Sequence, residues 1–499
     1  MSARTPILAA ALFVLSPAAL FAQVTNPIPE RIEKRGLAVA VQEVARLPET
    51  RRLRPVEQDV TPTGWARPNY VRELADGRRF VNDSRGFIYL LDKDNALSMY
   101  LNAAELFPLA AYNRLVSGLS GFDFHPDFAS NGLFYTVHAE RAPGNPATPH
   151  FVPPGYTAAE ATYHNIITEW RATNPAAPTF AGTRRELLRI AHIVDNLTHP
   201  MGYVGFNPAA KPGDADYGLL YTSGSDYGFS NGGGPKANNP GQTQRLDSVV
   251  TAILRIDPRS PSESKGTKGL GDYTIPPSNP YAGDNNPATL GEIYAHGFRN
   301  AHRLSWDPVD GTMFATDIGM NHIEEVNIVH RGGNYGWMKR EGLWENGMIR
   351  PGGALNQLYE LPADVLAGKT KDEFMYPVAM YDHNEGPAIS SGFVYRGKIR
   401  ALRGKFIFGD INRGRLFATD VAALKAADDG IPSTVAPIEE VQLFMRDARR
   451  RPVYMSMREL IERTLGESVS RADLMLSQGR DGEIYLTSRQ DGMIRKLVE

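Results

Sequence analysis

The hydrophobic positions of this chain form short runs that Gly, Asp, Asn and Pro interrupt. Helical periodicity is clear only at 453–465 (VYMSMRELIERTL), with shorter candidates at 103–109 and 422–427. Brief apolar stretches bounded by turn residues are typical of β-strands and are too short for most helices. The pattern therefore predicts a mainly β protein.

One strand unit recurs along the chain. A turn that ends in glycine precedes an apolar strand, and the strand closes on Asp, Glu or Ser. The six glycines that begin these units are Gly77, Gly132, Gly218, Gly311, Gly404 and Gly482. Repetition of one unit with variable loops favours an all-β, six-bladed β-propeller of four-stranded antiparallel blades. A large β-sandwich is the alternative, since many short strands suit both architectures.

The segment 37–47 (LAVAVQEVARL) alternates like a strand although it lies far from the repeated units. We expect it to complete the last blade beside residues 481–497. Such closure removes the exposed edges that an open sheet would present.

Residues 1–22 read as a targeting segment. One Arg precedes an apolar stretch too short to span a bilayer comfortably, and a small residue stands at its end. This arrangement predicts a secretory signal peptide, with an uncleaved anchor as the alternative. We expect residues 23–499 to form one domain in a bacterial periplasm or exterior, with no stable membrane insertion after removal of the signal.

Composition narrows the chemistry. The 499 residues include 47 Gly and no Cys, with 54 Lys and Arg against 56 Asp and Glu. Absence of cysteine excludes a disulfide scaffold, a Cys-ligated metal and a cysteine nucleophile. The balanced charge argues against a nucleic-acid or anionic-membrane partner. The glycine count fits the many turns.

Four local sequences carry a family resemblance. They are GLSGFDFHPDF at 118–128, GFRNAHRLSWD at 297–307, IGMNHIEEVNIVHRGGNYGW at 318–337 and AISSGFVYRG at 388–397. In this order the chain resembles the glucose/sorbosone dehydrogenase family from about residue 60 to residue 497. These soluble quinoproteins are six-bladed propellers that use pyrroloquinoline quinone (PQQ) and calcium. The resemblance implies a small sugar substrate and a carrier that accepts the electrons.

Oxidation of a sugar hydroxyl needs a base, an acceptor for the hydride and a cation that polarises the acceptor. Histidine is the expected base because it titrates near neutrality. The resemblance implies His199 in this role, with Asp226 as the carboxylate that orients it. Arg299 would stabilise the charge of the reduced cofactor, since a guanidinium offers a planar fork to oxygen acceptors.

The resemblance also implies cofactor and metal contacts. The expected PQQ-binding residues are Arg299, Asn300, Tyr381, Asn412, Arg413 and Arg471. The carbonyl groups of Gly319 and Met320 are expected to hold a catalytic calcium. Glu324, Glu325 and the Tyr335 carbonyl match a second, structural calcium site, with Glu345 as a weaker addition. Hard oxygen ligands of this kind suit calcium.

Several positions depart from the family pattern. The departures are Val116, Met201, Met320, Asn384 and Asn412. They leave two other functions open. One is a PQQ-independent calcium-binding propeller that acts as a lactonase or lyase on sugar derivatives. The other is a propeller that binds without catalysis, because a fold alone does not define a function.

Overall fold

The protein is described by a computed structural model covering residues 23–53, 63–107, 118–195, 197–230, 236–237, 239–264, 266–350, 353–354 and 356–499. The predicted signal peptide at 1–22 and the departure at Val116 lie outside these residues.

The expected β architecture is confirmed, with antiparallel sheets of four strands following one another along the chain. Sheet 1 contains Pro68–Glu73, Arg79–Asp83, Phe87–Leu91 and Leu97–Asn102. Sheet 2 contains Leu119–Phe124, Leu133–Arg141, Tyr163–Ala172 and Gly182–His192. Sheet 3 contains Val204–Gly205, Leu220–Ser223, Ala252–Ile256 and Ile293–His296. Sheet 4 contains Ala301–Trp306, Met313–Asp317, Ile323–Ile328 and Ala379–Asp382.

The two remaining groups of four strands share one continuous sheet. Sheet 5 contains Ile389–Val394, Lys405–Asp410, Leu416–Asp420 and Glu439–Arg446. Sheet 6 contains Leu474–Gln478, Ile484–Ser488, Met493–Val498 and Ala38–Arg46. The N-terminal strand Ala38–Arg46 pairs antiparallel with Met493–Val498 and parallel with residues 442–444, which joins the two groups. The predicted pairing of segment 37–47 with the C-terminal strands is thus confirmed.

Smaller elements lie between the sheets. A peripheral sheet contains Gln23–Val24, Leu358–Tyr359, Trp344–Asn346 and Arg340–Glu341, and a short ladder pairs Thr267–Lys268 with Thr274–Ile275. Pro452–Tyr454 pairs with the end of Glu439–Arg446. The α-helices are Ala103–Leu106, Phe128–Asn131, Ala363–Leu366, Val421–Ala427 and Met457–Leu465. Short 3-10 helices span Ala158–Glu160, Pro240–Gln242, Gly347–Ile349 and Arg400–Leu402.

The predicted helices are present, but the one at 453–465 is shorter than expected. Residues 453 and 454 belong to a strand, and the helix begins at Met457 after the cap residue Ser456. Glu459 closes a capping box with Ser456, which satisfies the first backbone N–H groups. Among the described residues, no helix is long and apolar enough to cross a membrane.

Local backbone geometry explains the repeated glycines. All six unit glycines adopt positive φ, from 70° at Gly132 to 84° at Gly77. Side chains with a Cβ disfavour this region, so glycine is the residue that permits each turn.

The first strands of the sheets lie against one another. Those of sheets 1, 2 and 3 are in contact in series, as are those of sheets 4, 5, 6 and 1, while sheet 3 contacts sheet 4 through its second strand. Apolar side chains fill the space between neighbouring sheets, for example where Phe80 of sheet 1 meets Phe124 of sheet 2 and where Tyr221 of sheet 3 meets Trp306 of sheet 4. This packing brings loops from different sheets together at the strand ends.

Candidate active site

His199 and Asp226 form a hydrogen-bonded pair at one end of sheet 3. His199 lies before Val204–Gly205 and Asp226 follows Leu220–Ser223, so antiparallel pairing of these strands places both residues at the same end. His199 Nδ1 is 2.7 Å from Asp226 Oδ1. The His199 side chain is 15% exposed, whereas that of Asp226 is fully buried. Nε2 is therefore the ring nitrogen that can act on a ligand.

Backbone contacts fix this pair. Ser225 Oγ donates a hydrogen bond to the His199 carbonyl group. The Gly228 N–H donates to Asp226 Oδ1 at 3.0 Å, and the Asp226 N–H donates to the Arg299 carbonyl at 2.7 Å. His199 itself has φ of 50°, in the left-handed region that non-glycine residues rarely adopt. Backbone strain of this kind is common at functional sites, where the surrounding structure holds a side chain in one orientation.

Arg299 lies between Asp226 and the loop after sheet 4's second strand. Its Nη1 donates to the carbonyl groups of Ile318 at 2.9 Å and Gly319 at 2.5 Å. Its Nε is 4.0 Å from Asp226 Oδ2, and neither of these two buried atoms has a hydrogen-bond partner. The guanidinium carbon also lies 5.7 Å from the centre of the Trp337 ring.

The backbone around Arg299 is anchored by a carboxylate. The N–H groups of Arg299 and Asn300 donate to the two oxygens of Asp317 at 3.0 and 2.6 Å. Burial and the neighbouring Glu325 raise the pKa of Asp317 well above its usual value. The backbone of Asn300 lies next to the His199–Asp226 pair, because Asn300 also forms a backbone bridge with Ser225.

The charges favour a neutral histidine and an ionised aspartate. Burial lowers the pKa of His199, and Arg299 lowers it further, which together outweigh the opposite effect of Asp226. Burial favours protonated Asp226, but His199 and Arg299 hold its pKa well below the usual range. At neutral pH the pair is thus a neutral imidazole with its Nδ1 proton directed to a carboxylate. This leaves a lone pair on Nε2, as a general base requires.

The predicted calcium loop is organised around protein groups. The Gly319 carbonyl already accepts from Arg299, and the backbone N–H groups of residues 320–323 all donate to Glu341 Oε1 at 2.9 to 3.2 Å. Burial disfavours ionised Glu341, but these donors and His322 lower its pKa to about 2. The carbonyl pair of Gly319 and Met320 therefore does not fit a calcium ion as the loop is folded.

Glu324 and Glu325 face opposite sides of their strand, because successive strand residues alternate. Glu324 accepts from His383 Nε2 at 2.8 Å, while Glu325 accepts from the Gly342 N–H at 2.8 Å. Burial raises the pKa of each to about 7. The expectation that both carboxylates ligate one structural calcium is corrected by this alternation.

Of the other predicted ligands, Glu345 pairs with Arg350. The Tyr335 ring stacks on Phe298 at 4.2 Å, and the role of the Tyr335 carbonyl stays a prediction. Within the described part of the chain, no group of three or more Asp, Glu or His side chains is arranged to hold a metal ion.

Arg413 and Arg471 form a cationic rim near the predicted calcium loop. Arg413 donates to the carbonyl groups of Asn384 at 2.5 Å and His383 at 3.2 Å. Arg471 Nε donates to Asp473 at 2.9 Å. The Asn412 carbonyl accepts from Ala472, the residue after Arg471, so these predicted cofactor residues are neighbours. Asn412 Oδ1 is buried without a hydrogen-bond partner.

His383 links this rim to Arg299. The backbone N–H of His383 donates to the His322 carbonyl at 2.9 Å, and its side chain binds Glu324. Burial and the positive charge of Arg299 lower the pKa of His383, although the hydrogen bond to Glu324 raises it overall. Glu341, Asp317 and His383 are functional-site residues that sequence reasoning missed. The only sequence signal was the position of His383 beside Asn384.

Tyr381 is placed differently from expectation. Its side chain is 1% exposed and packs against Phe417 at 5.2 Å and Phe408 at 6.3 Å between ring centres. The ring belongs to the core between sheets 4 and 5. This placement argues against the expected stacking on a quinone.

Repeated four-stranded antiparallel sheets with polar loops at their ends are typical of propeller-like folds. The structure is similar to the apo-form of the soluble aldose sugar dehydrogenase of Escherichia coli, with a TM-score of 0.55 and 16% identity over 92% of this chain and 99% of that one. It is also similar to the PQQ-bound aldose sugar dehydrogenase of Streptomyces coelicolor, with a TM-score of 0.51 and 18% identity over 92% and 98%. Residues 265–441 match the family model Glucose / Sorbosone dehydrogenase. The resemblance carried by the motifs is confirmed.

A plant relative is similar over a long stretch. The HIPL2 protein of Arabidopsis thaliana is 28% identical over 377 residues, which cover 68% of this chain and 50% of that protein. The chain thus spans about half the length of this curated relative.

Proposed function

We propose that this protein is a quinoprotein dehydrogenase that oxidises a sugar hydroxyl by hydride transfer to PQQ. The observation that carries the proposal is the His199–Asp226 pair, with a 2.7 Å hydrogen bond and Arg299 beside it. The match of residues 265–441 to the Glucose / Sorbosone dehydrogenase family model supports a sugar substrate. The similarity to a PQQ-bound aldose sugar dehydrogenase supports the fold of such an enzyme.

We propose a six-bladed propeller as its architecture. Support comes from the six groups of four strands and from their contacts in series. The pairing of Ala38–Arg46 with Met493–Val498 joins the N-terminal strand to the last group, as closure of a ring requires.

His199 acts as the general base in this proposal. Its Nε2 takes the proton of the sugar hydroxyl as the C–H bond releases its hydride, and the imidazolium that forms is stabilised by Asp226. Asp226 also fixes the tautomer, because its Oδ1 accepts the Nδ1 proton. Arg299 adds a fixed positive charge near the reacting atoms, which favours the negative charge that develops on the acceptor.

The residues at the rim suit an anionic quinone. Arg413 makes its side-chain hydrogen bonds to carbonyl groups, so its positive charge is available to a carboxylate. Arg299, Asn300, Asn412, Arg413 and Arg471 would hold PQQ there. When bound, PQQ supplies the two-electron acceptor that protein side chains lack. We derive no step through calcium, since the Gly319 carbonyl is bonded to Arg299.

The proposal extends to the cellular setting. A sugar dehydrogenase of this type passes its electrons to a carrier. Residues 1–22 favour a periplasmic or secreted location. We assign the selection of the sugar to the long loops at 142–162 and 228–244. Tyr156 and Phe229 join the described parts of these loops with ring centres 5.7 Å apart, and the Phe229 N–H donates to the Asp226 carbonyl at 2.8 Å.

Reconstitution tests the proposal. Purified protein is incubated with PQQ and then given aldoses, oligosaccharides or alcohols with an artificial electron acceptor. We expect sugar-dependent reduction of the acceptor that requires PQQ, and loss of about 10²–10⁴ of the rate in His199→Ala. Failure to bind PQQ, or equal rates in the variant, would contradict the proposal.

A hydrolytic function is the second candidate. A neutral imidazole paired with a buried carboxylate can equally activate water, and Asn384 and Asn412 depart from the quinoprotein pattern. Lactone cleavage by quinone-free protein would favour this alternative. If His199→Ala leaves every measured property unchanged, a binding propeller without catalysis is favoured instead.

A further inference from the structure

A short hairpin carries the densest positive charge in the described part of the chain. Residues 446–454, with the sequence RDARRRPVY, form this basic hairpin. Its two strands pair Phe444 with Tyr454 and Arg446 with Pro452. It contains four arginines and one aspartate, so its local charge is strongly positive, although the net charge of −2 over the whole chain argues against an anionic-membrane partner for the protein surface in general.

The turn of the basic hairpin is well defined. Asp447 accepts the backbone N–H groups of Arg449 and Arg451, each at 2.8 Å, and also the Arg451 side chain at 2.9 Å. Arg450 adopts a φ of 61°, which closes the turn. The one carboxylate of the hairpin is thus directed inward, into its own turn, and the arginines surround it.

The outer surface of the hairpin combines cations with apolar groups. Arg446, Arg449, Arg450 and Arg451 are all exposed. Val453 is 46% exposed and Tyr454 is 56% exposed, and both are among the most exposed large apolar residues described. Two further exposed arginines, Arg458 and Arg463, lie on the adjoining helix Met457–Leu465.

The hairpin lies next to the cationic rim of the candidate site. A cleft of about 280 Å³ separates them, lined by Arg413 and Gly414 on one side and by Tyr454 and Ser456 on the other. Lys34 also lines this cleft. A surface that meets the hairpin would therefore approach the side of the protein that carries Arg413.

We propose that the basic hairpin docks this protein onto a membrane surface containing anionic phospholipids. Clustered Arg side chains are attracted to anionic headgroups, and adjacent aromatic and aliphatic side chains enter the interface. The patch is one narrow turn at the end of strand Glu439–Arg446, much smaller than the surface of about 800 Å² per partner typical of stable protein complexes. A fluid lipid surface can adapt to such a narrow turn, which favours lipid over an acidic protein as its partner. The inference does not depend on the proposed catalytic function.

Vesicle sedimentation tests the docking. Sucrose-loaded vesicles of phosphatidylcholine with about 30% phosphatidylglycerol are compared with pure phosphatidylcholine, at low and high salt. We expect the full-length mature protein to bind only the anionic vesicles, and to dissociate at high salt. The double variant R449E/R450E should bind at least roughly tenfold more weakly, because about 1 kcal/mol is contributed by each arginine near the surface.

Two further variants make the test specific. K398E/R400E carries the same change of charge on exposed residues at the other end of sheet 5, and it should bind like the unmodified protein. Val453→Ser with Tyr454→Ser should weaken binding even at low salt if these side chains enter the interface. Circular dichroism melts confirm that each variant is folded.

Three results would overturn the proposal. These are no binding to anionic vesicles at low salt, equal binding by R449E/R450E, and an equal loss in K398E/R400E. Binding to soluble polyglutamate without binding to vesicles would indicate an acidic protein partner in place of the membrane.

Discussion

At the scale of single residues, the site depends on how neighbours set the protonation of His199. Burial and Arg299 both disfavour the imidazolium, and Asp226 opposes them. The His199 imidazole is therefore neutral at neutral pH and can accept a proton. The acid limb of a pH–rate profile should lie below the ordinary histidine pKa of about 6.5.

Asp226→Asn should lower the catalytic rate and move the acid limb to still lower pH. Loss of the carboxylate removes an effect that raises the pKa of His199, and the amide no longer fixes the tautomer. We expect a fall of about 10²–10⁴ in kcat/KM, measured across pH 4–8. The control is Asp195→Asn, an exposed residue four positions before His199. An unchanged profile in Asp226→Asn would contradict the assigned pair.

Arg299 should exclude a cation from the Gly319 carbonyl. Terbium is a luminescent calcium substitute, and the Trp337 ring lies 5.7 Å from the Arg299 guanidinium, close enough to sensitise an ion bound there. We expect no Trp337-dependent terbium emission from the unmodified protein and such emission from Arg299→Met. Adding Trp337→Phe to that variant should abolish it. Trp337-dependent emission from the unmodified protein would show that a cation binds despite Arg299.

At the scale of elements, strands and turns follow from the sequence more closely than the site does. Turn glycines and brief apolar runs are local signals, and the strands after Gly77 and Gly482 lie where they predict. Opposite orientation of Glu324 and Glu325 also follows from strand alternation, once the strand Ile323–Ile328 is recognised. The role of Glu341 could not be predicted, because its contacts come from a loop some twenty residues away.

The loop at 319–323 should depend on Glu341 for its stability. Glu341→Gln keeps the shape but removes the charge that accepts four N–H groups, so we expect a loss of about 2 kcal/mol in the free energy of unfolding. The pKa of Glu341 is lowered to about 2, so the charge contributes fully above pH 4.5 and its contribution is lost as pH falls toward 2. Urea denaturation measures the difference in the free energy of unfolding between the variant and the unmodified protein, and this difference should become smaller in acid. Exposed Glu360→Gln is the control, and an equal loss there would contradict the account.

At the scale of the whole molecule, stability without cysteine depends on how the chain ends are joined. Ala38–Arg46 lies between Met493–Val498 and residues 442–444, so it bridges sheets 5 and 6. The alternation of 37–47 indicated this strand, whereas its parallel contact with sheet 5 depends on long-range packing that no local pattern contains. The placement of Tyr381 in the core likewise depends on long-range packing.

Deletion of residues 35–47 should lower the melting temperature sharply. It removes a central strand of the joined sheet and exposes the apolar side chains of Leu443 and Leu497, which pack against it. Removal of residues 23–30 alone serves as the control, because it deletes the peripheral strand Gln23–Val24 and leaves Ala38–Arg46 in place. An unchanged melting temperature after the larger deletion would contradict the closure.

The central claim is that the His199 site oxidises sugars with a bound quinone. The most direct measurement is the absorbance spectrum of the purified protein after incubation with PQQ, recorded before and after addition of a sugar mixture. The account predicts a spectrum of bound PQQ that changes to the reduced form on addition of sugar, and no such reduction in His199→Ala. A spectrum identical to free PQQ, unchanged by sugar, would contradict it.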